Sequence, residues 1–465
     1  MRTEILGRRE SDVKKYGSEG CGYMGKVVSY PGGVYEEGGA LYVDLATPHC
    51  ILVLGKRGTG KSYTLGVFLE NFSLLPAEMR NKIAVLVVDT MSVFHSLKSP
   101  NTNAAEVERM KDFRELAPRG LDNVLIAMPR KTVEKLESTG QKPYMDRLLE
   151  FRADEVSQHM WLSLFHLSPT DPVGTLLLDV LESLRDRKRA EMDGYPDGAE
   201  HGYARHGHAG YTLSDMIQTA EKMGSDEQTR KALVALLRMA KNTGLFSEDK
   251  DGSGQSLVEG GRITILDISG LRRMGTLDMR SFVVALIAER LLHEKTVEMT
   301  VEMQKLAGLL GNSGESKEEW DLEGGGGKKK RIPLVYLVID EAHLFLPSDG
   351  TTISSQPLID WIKLGRHPGL SIVLATQEPS AIHDTAIRQA DMVISHQITA
   401  EPDITSLSKA RQSFMGKGRD LASLVSTMDS RRGLAIIFDD RTRKLEYCMI
   451  RPRLSLHTGM DATAL

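Results

Sequence analysis

Cysteine is scarce in this chain of 465 residues: there are 3, Cys21, Cys50 and Cys448. An odd number at such wide spacing argues against a disulfide framework and a zinc knuckle, and suits a reducing compartment. Long apolar runs are also missing. Ile83 to Val88 is among the longest, far short of the roughly 18 residues that a membrane-spanning helix needs. The opening residues, MRTEILGRRESDVKKYG, are charged and hold no apolar core, so they do not read as a signal peptide. Nor is there a surplus of positive charge. The formal net charge is -4, so any grip on nucleic acid has to come from a local basic face or channel. These absences predict a cytoplasmic protein with no membrane partner.

Hydrophobic residues at 41% and charged residues at 26% are ordinary for a soluble fold with a large core. Length suggests about three domain-sized units, a rule that large α/β folds blur. Short β-branched runs alternate with helical patterns. The candidate strands are Cys50–Gly55, Ile83–Asp89, Asn123–Pro129, Ile263–Ser269, Leu334–Asp340, Ser371–Gln377, Met392–Ile398 and Leu434–Asp439. Continuous apolar runs of this length read as strands buried on both faces of a mostly parallel sheet. The alternation gives an α/β fold. SFVVALIAERLLHEK, Ser281–Lys295, is one amphipathic helix. A mainly helical stretch, 143–247, reads as an insertion into a core made of 46–142 and 248–450. A short N-terminal β segment (1–45) and a C-terminal tail (451–465) flank it. Two stretches, 193–210 and 311–331, are rich in Gly with His or charge and read as loops or disordered inserts.

The chemistry begins at VLGKRGTGKSYT. Gly55, Gly60, Lys61 and Ser62 match G-x-x-x-x-G-K-[ST], after an apolar strand and before a helix-like run. That context identifies a phosphate-binding loop. Glycines let backbone N–H groups turn inward around phosphates, and the following helix adds its positive end. Gly55, Gly58, Thr59, Gly60, Lys61, Ser62 and Tyr63 are the candidate nucleotide-binding set. Lys61 is predicted to reach the β- and γ-phosphates of ATP, and Ser62 to ligate Mg²⁺.

LVYLVIDEAHLFLP ends an apolar strand in Asp340 and Glu341. An acid at this strand end supports Mg²⁺ in P-loop enzymes, here Asp340. Its neighbour Glu341 can orient and polarise the attacking water. Acids near a helix start are also common without function, but the upstream P-loop favours the catalytic assignment. In SIVLATQEPSAI, Gln377 stands where a polar group can touch the γ-phosphate or its water; a plain strand-end turn is the alternative. Arg366, just before that strand, is a candidate arginine finger for a neighbour's nucleotide. Arg388, Arg411, Arg431 and Arg432 compete for that role.

Local basic runs do exist. SKARQSFMGKGRD carries Lys409, Arg411, Lys417 and Arg419, and further runs lie at Leu184–Arg189 and Gly327–Arg331. Each reads either as a solvated face or as a sequence-independent phosphate contact. His201, His206 and His208 lack a cysteine or acid at metal-binding spacing and read as part of a loop.

Taken in order, LGKRGTGKSYTLG, GRITILDISGL, LVIDEAHLFLP, GRHPGLSIVLATQEPSAI, ADMVISHQIT and RPRLSLHTG resemble the HerA branch of the HerA/FtsK superfamily of P-loop ATPases. The resemblance spans about 41–459 and is loose over the helical insertion. The P-loop and the acid pair are generic, while ATQEPSAI and RPRLSLHTG are the more specific part. It implies a RecA-like core in a hexameric ring around double-stranded DNA. It also implies an ATP-driven translocase or helicase acting with a NurA-type nuclease in DNA repair or end processing. Lys61 and Ser62 fall on the family's phosphate and Mg²⁺ positions. Asp340 and Glu341 fall on its acids, Gln377 on its sensor glutamine, and Arg366 on a basic position near the subunit interface. Two departures stand out. The segment before Gly55 is expected to hold a few strands rather than the family's full N-terminal β-barrel, which puts the nuclease partner in doubt. VVDTMSVF, Val87–Phe94, also lacks the acid three residues past a Gly that the family's second strand carries. The short N-terminus keeps open a second function, a nucleotide-gated scaffold that recruits an effector. A membrane-associated motor is a third, with no transmembrane segment in its favour.

Overall fold

The computed structural model describes residues 3–29, 36–113, 116–193, 210–249, 256–271, 277–307, 332–411, 424–426, 428 and 433–458. Most of the two Gly-rich inserts lies outside these residues. So do Lys417, Arg419, Arg431, Arg432, the GKKKR run and His201, His206 and His208.

The described strands are β1 (Glu4–Leu6), β2 (Cys21–Ser29), β3 (Glu36–Asp44), β4 (Cys50–Leu54), β5 (Ile83–Asp89), β6 (Val124–Met128) and β7 (Arg147–Leu148). After them come β8 (Ile263–Asp267), β9 (Leu334–Ile339), β10 (Leu370–Thr376), β11 (Met392–Ser395), β12 (Leu434–Asp439) and β13 (Lys444–Ile450). They form one 13-stranded sheet in the order β1-β3-β2-β13-β12-β11-β4-β10-β9-β5-β8-β6-β7. From β11 to β7 every pairing is parallel. β12, β13, β2 and β3 continue it antiparallel. All the strands expected from apolar runs are present, within a residue or two at their ends except β11, which stops at Ser395, three residues short of the expected Ile398. The N-terminal strands are not a separate body: β2 pairs with β13 and extends the same sheet.

Strand periodicity decides what each face meets. Ile51 and Val53 of β4 pack on one side with Phe68 and Phe72 of α2 (Lys61–Leu74). Leu52 and Leu54 point to the other side, towards Phe282 and Trp361. The smaller helices α1 (Glu10–Tyr16), α3 (Ala77–Arg80), α4 (Ala104–Met110) and α5 (Arg130–Ser138) precede the insertion. The insertion holds α6 (Gln158–Phe165), α7 (Pro172–Asp193), α8 (Leu213–Lys222) and α9 (Glu227–Lys241). It is tied to α10 (Met279–Leu306) by rings: Trp161 stacks on Phe165 and Phe246, and Phe246 meets Phe282 of α10. The remaining helices are α11 (Ser355–Leu364), α12 (Asp384–Gln389) and α13 (Glu401–Arg411). Among the described residues no helix is long and apolar enough to cross a membrane.

Because the central strands run parallel, their C-terminal ends share one edge. The P-loop, the acid pair and Gln377 all leave the sheet there. The opposite edge is closed by a buried charge cluster. His49 Nδ1 lies 3.0 Å from Asp391 and its Nε2 3.4 Å from Asp44. Arg441 bonds Asp391 at 2.8 Å, and Arg8 bonds Asp44 at 2.5 Å. Tyr336 packs beside them, its hydroxyl on the carbonyls of Leu45 and Thr47.

Burial works against the charged imidazolium of His49, but Asp391 and Asp44 outweigh it and raise its pKa. Burial also opposes ionisation of Asp44 and Asp391, and His49 with the arginines more than offsets this and lowers both. A raised His stabilises fully below its unfolded pKa, about 6.5, and loses that contribution as pH rises through the folded value. The lowered carboxylates stabilise above about 3.9 and lose their contribution as pH falls. The cluster is therefore strongest between those limits. Melting followed from about pH 6 to about pH 9 is expected to show wild-type stability declining more steeply than that of His49→Gln. The variant is expected to be less stable at the lower pH by on the order of 3 kcal/mol. Parallel curves would mean that His49 carries no charge in the fold.

Candidate nucleotide site

Residues 55–60 link β4 to α2 as an open cradle. Gly58 and Gly60 take φ of 79° and 110°, the left-handed region where a side chain is strained. Gly60 then caps α2, accepting the Thr64 N–H at 2.8 Å. Gly55 is needed for a different reason. A Cβ there would stand 2.6 Å from Thr59 Oγ1 and 2.9 Å from His396 Cβ. Thr59 is held by its own loop, its hydroxyl donating to the Lys56 carbonyl at 2.7 Å.

His396 is the floor of this cradle and carried no role in the sequence reading. It follows β11, the neighbour of β4, and is fully buried. Nδ1 lies 2.9 Å from the Leu434 carbonyl, which can only accept, so Nδ1 carries the proton. Nε2 is then free to accept from the Thr64 hydroxyl at 2.9 Å. Burial pushes its pKa down to about 4, so the ring stays neutral. The only hint in sequence was a polar Ser-His-Gln directly after an apolar strand.

Lys61 is buried, and its Nζ lies 2.6 Å from Glu341 Oε1 and 3.2 Å from Asp340 Oδ1. Ser62 Oγ donates to Asp340 Oδ2 at 3.2 Å. Gln377 Nε2 donates to Glu341 Oε1 at 2.5 Å. His343 Nδ1 stands 3.6 Å from Glu341 Oε2 and 3.1 Å from Thr376 Oγ1. Lys61, Ser62, Asp340, Glu341 and Gln377, drawn from three separate stretches, thus converge. Glu341 itself adopts φ 53°, a costly conformation for a non-glycine residue and one that gathers at functional sites.

Other candidates are placed elsewhere. Tyr63 does not face the cradle with its hydroxyl. It donates to Glu106 at 3.1 Å and accepts from the Arg453 N–H at 2.7 Å, against the C-terminal segment. Arg366 is exposed in the turn before β10. The length of β10, 7 residues, separates it from the phosphate edge, a span of about 20 Å, so within one subunit it cannot reach the nucleotide. Arg388 pairs with Asp384 at 2.6 Å. Lys409 and Arg411 lie in the last turn of α13.

Two acids on the same edge carried no role in the sequence reading. Val88 pairs with Ile339, and Asp89 with Asp267, so Asp340, Asp89 and Asp267 follow one another at the C-terminal ends of β9, β5 and β8. Asp89 accepts the backbone N–H groups of Met91, Val93 and Phe94 and so shapes the VVDTMSVF loop. Burial raises its pKa to about 6, against the pull of those N–H groups. Ser92, at φ 57°, turns its hydroxyl to Asp267, which also takes the Tyr144 hydroxyl at 3.0 Å.

The family described as "Helicase HerA, central domain" matches residues 32–291. A second family, "Zonular occludens toxin", matches residues 255–401. No curated protein matches the chain. Among solved structures, VirB4 of Thermoanaerobacter pseudethanolicus is 14% identical. The match covers 93% of this chain and 96% of that one, with a TM-score of 0.49. The bacterial conjugative coupling protein TrwBΔN70, in its unbound form, is 15% identical over 94% and 92% with a TM-score of 0.44. The genome packaging NTPase B204 of Sulfolobus turreted icosahedral virus 2, in complex with ATP-γS, is 11% identical over 87% and 98% with a TM-score of 0.34.

Proposed function

Because this chain belongs to the HerA helicase central-domain family, and is by that membership a P-loop ATP hydrolase, we propose that it spends ATP on moving along double-stranded DNA as a hexameric ring. The observation that carries the catalytic half is the meeting of Lys61 and Gln377 on Glu341 at the mouth of the P-loop.

In this mechanism the phosphates of ATP take Lys61 from the carboxylates. The backbone N–H groups of residues 58–61 and the positive end of α2 add to that hold. Glu341, released from the lysine, accepts the proton of the attacking water. Gln377 keeps the carboxylate and the water in line, and reports whether the γ-phosphate is present. Ser62 Oγ and Asp340 Oδ2, 3.2 Å apart, are hard oxygen donors that would hold Mg²⁺, which would supply charge neutralisation to the phosphates. A cation on the far side of the γ-phosphate completes such a site. In this reading Arg366 of an adjacent subunit supplies it, since the residue is out of reach of its own nucleotide.

The DNA grip is assigned to the basic stretch Lys409, Arg411, Lys417 and Arg419. The test is ATP turnover with and without duplex DNA across a salt series. Stimulation is expected, and the Lys417→Ala, Arg419→Ala double variant is expected to bind more weakly. Its log–log salt slope should be shallower by about 2. Turnover indifferent to duplex DNA in the wild type would favour the nucleotide-gated scaffold instead.

A further inference from the structure

Helix α13 is fastened at two points to the nucleotide site. At its root, the His396 N–H donates to the Leu54 carbonyl at 2.8 Å, and the Lys56 N–H to the Gln397 carbonyl at 3.4 Å. With His396 against Thr64, this ties the chain that leads into the helix, which begins at Glu401, to the P-loop. The second point is Asp403, which is 7% exposed. Its Oδ1 accepts both the Ser380 N–H, at 2.9 Å, and the Ser380 hydroxyl, at 2.6 Å. Ser406 Oγ reaches the Pro379 carbonyl one turn later, at 3.4 Å.

Ser380 lies three residues after Gln377, in a turn with little slack. The Glu378 N–H is held by Thr376 Oγ1 at 3.0 Å, and the Ala381 N–H by the Glu378 carbonyl at 3.0 Å. The Ser348 N–H then bonds the Ala381 carbonyl at 2.8 Å, fixing the turn to the loop that follows Glu341. A displacement of the Gln377 backbone is therefore passed along the turn to Ser380, and Ser380 is bonded to α13.

We propose that Asp403 is a positioning residue that transmits the state of Gln377 to α13, whose last turn carries Lys409 and Arg411. This deepens the translocase reading and rests on it for the meaning of the output. The link itself requires only that nucleotide binding move Gln377. One helix thereby receives two signals, phosphate occupancy through the P-loop floor and γ-phosphate contact through the Gln377 turn.

The test is amide hydrogen exchange of residues 401–411 with and without ATP-γS, in wild type, Asp403→Ala, Asp403→Asn and Ser380→Ala. ATP-γS is expected to slow exchange in wild-type α13 about fivefold or more, the lower range of ordinary coupling between sites. Asp403→Asn keeps an oxygen that accepts both Ser380 donors and should retain the response. Asp403→Ala should lose it with nucleotide affinity changed by less than about threefold. A response equal to wild type in Asp403→Ala, or no response in the wild type, overturns the proposal. If Asp403→Ala also loosens β9 and β10, Ser380→Ala decides, because it removes only the hydroxyl bond. A reduced response confined to α13 supports the link, and an unchanged one refutes it. Failure of the translocase reading shows separately, as wild-type turnover that ignores duplex DNA while α13 still answers to ATP-γS.

Discussion

Glu341→Gln is expected to lower ATP turnover by about 100- to 10,000-fold, the range for loss of a positioned general base, while ATP binding persists or tightens. The substitution preserves shape and removes the charge. Lys61 Nζ sits 2.6 Å from Glu341 and 3.2 Å from Asp340, so the carboxylates compete with phosphate for the ammonium. An amide competes less well, and Asp340 alone remains as a rival. Gln377 also loses its charged acceptor, so its bond to residue 341 weakens. Steady-state turnover gives the first quantity and titration with a fluorescent ATP analogue the second. Lys61→Ala separates the two effects, since it should lose binding and turnover together. Turnover of Glu341→Gln within about threefold of wild type would remove Glu341 from the base role. Binding weakened by about tenfold would show that its contact with Lys61 helps the site rather than competing with ATP.

The parts of this site that were legible in sequence share one property: local pattern alone specifies them. A buried parallel strand is a continuous apolar run, and β4, β5, β9 and β10 could be read directly from Ile51–Leu54, Ile83–Val88, Val335–Ile339 and Ile372–Ala375. Glycines at fixed offsets announce the P-loop, because its turn demands left-handed residues at Gly58 and Gly60. Asp340, Glu341 and Gln377 follow from position, Asp340 and Glu341 being the first two residues past β9 and Gln377 the first past β10.

What escaped was set by pairing across long stretches of chain. His396 matters because β11 lies beside β4, a strand remote in sequence, since Met392 faces Ile51 across a sheet order no local pattern reveals. Asp89 and Asp267 become neighbours only when β5 meets β8. Tyr63 looked like part of the cradle because it adjoins Ser62. One helix position, about 100°, turns its side chain off the phosphate face and onto the C-terminal segment. The segment 451–465, read as a tail, begins with two of the most buried arginines among the described residues. Nothing in their own neighbourhood says that the counter-charge is Glu70.

That counter-charge makes Glu70 the position whose loss should cost the fold most. Glu70 lies on α2, fully buried, nine residues past Lys61. Arg451 Nη1 bonds it at 2.7 Å, and Arg453 Nε lies 3.7 Å away. The N–H groups of Leu454 and Ser455 donate to it at 3.1 and 2.9 Å, and the Ser455 hydroxyl at 2.6 Å. Burial alone would disfavour its charge. Arg451, Arg453 and Ser455 outweigh that and hold its pKa below the usual carboxylate range. A lowered carboxylate stabilises above its unfolded pKa, about 4.3, and that contribution fades as pH falls through the folded value. Glu70→Ala leaves two buried guanidinium groups without their counter-charge and two N–H groups without their acceptor. The expected loss is about 3–5 kcal/mol in urea unfolding at neutral pH. The exposed pair Lys231–Glu227 on α9 is the control, and its removal should be too small to resolve in the same assay. Because the same ions clamp residues 451–455 along α2, the weakened helix should also hold its first turn less firmly. Nucleotide binding is therefore expected to weaken in Glu70→Ala although no atom of Glu70 approaches the P-loop. Glu70→Gln keeps an acceptor for the N–H groups and should recover part of the stability but none of its acid sensitivity. A Glu70→Ala protein that unfolds within about 1 kcal/mol of wild type would mean that water or a shifted Arg451 satisfies the cluster. The C-terminal segment would then be a passenger on α2 rather than its clamp.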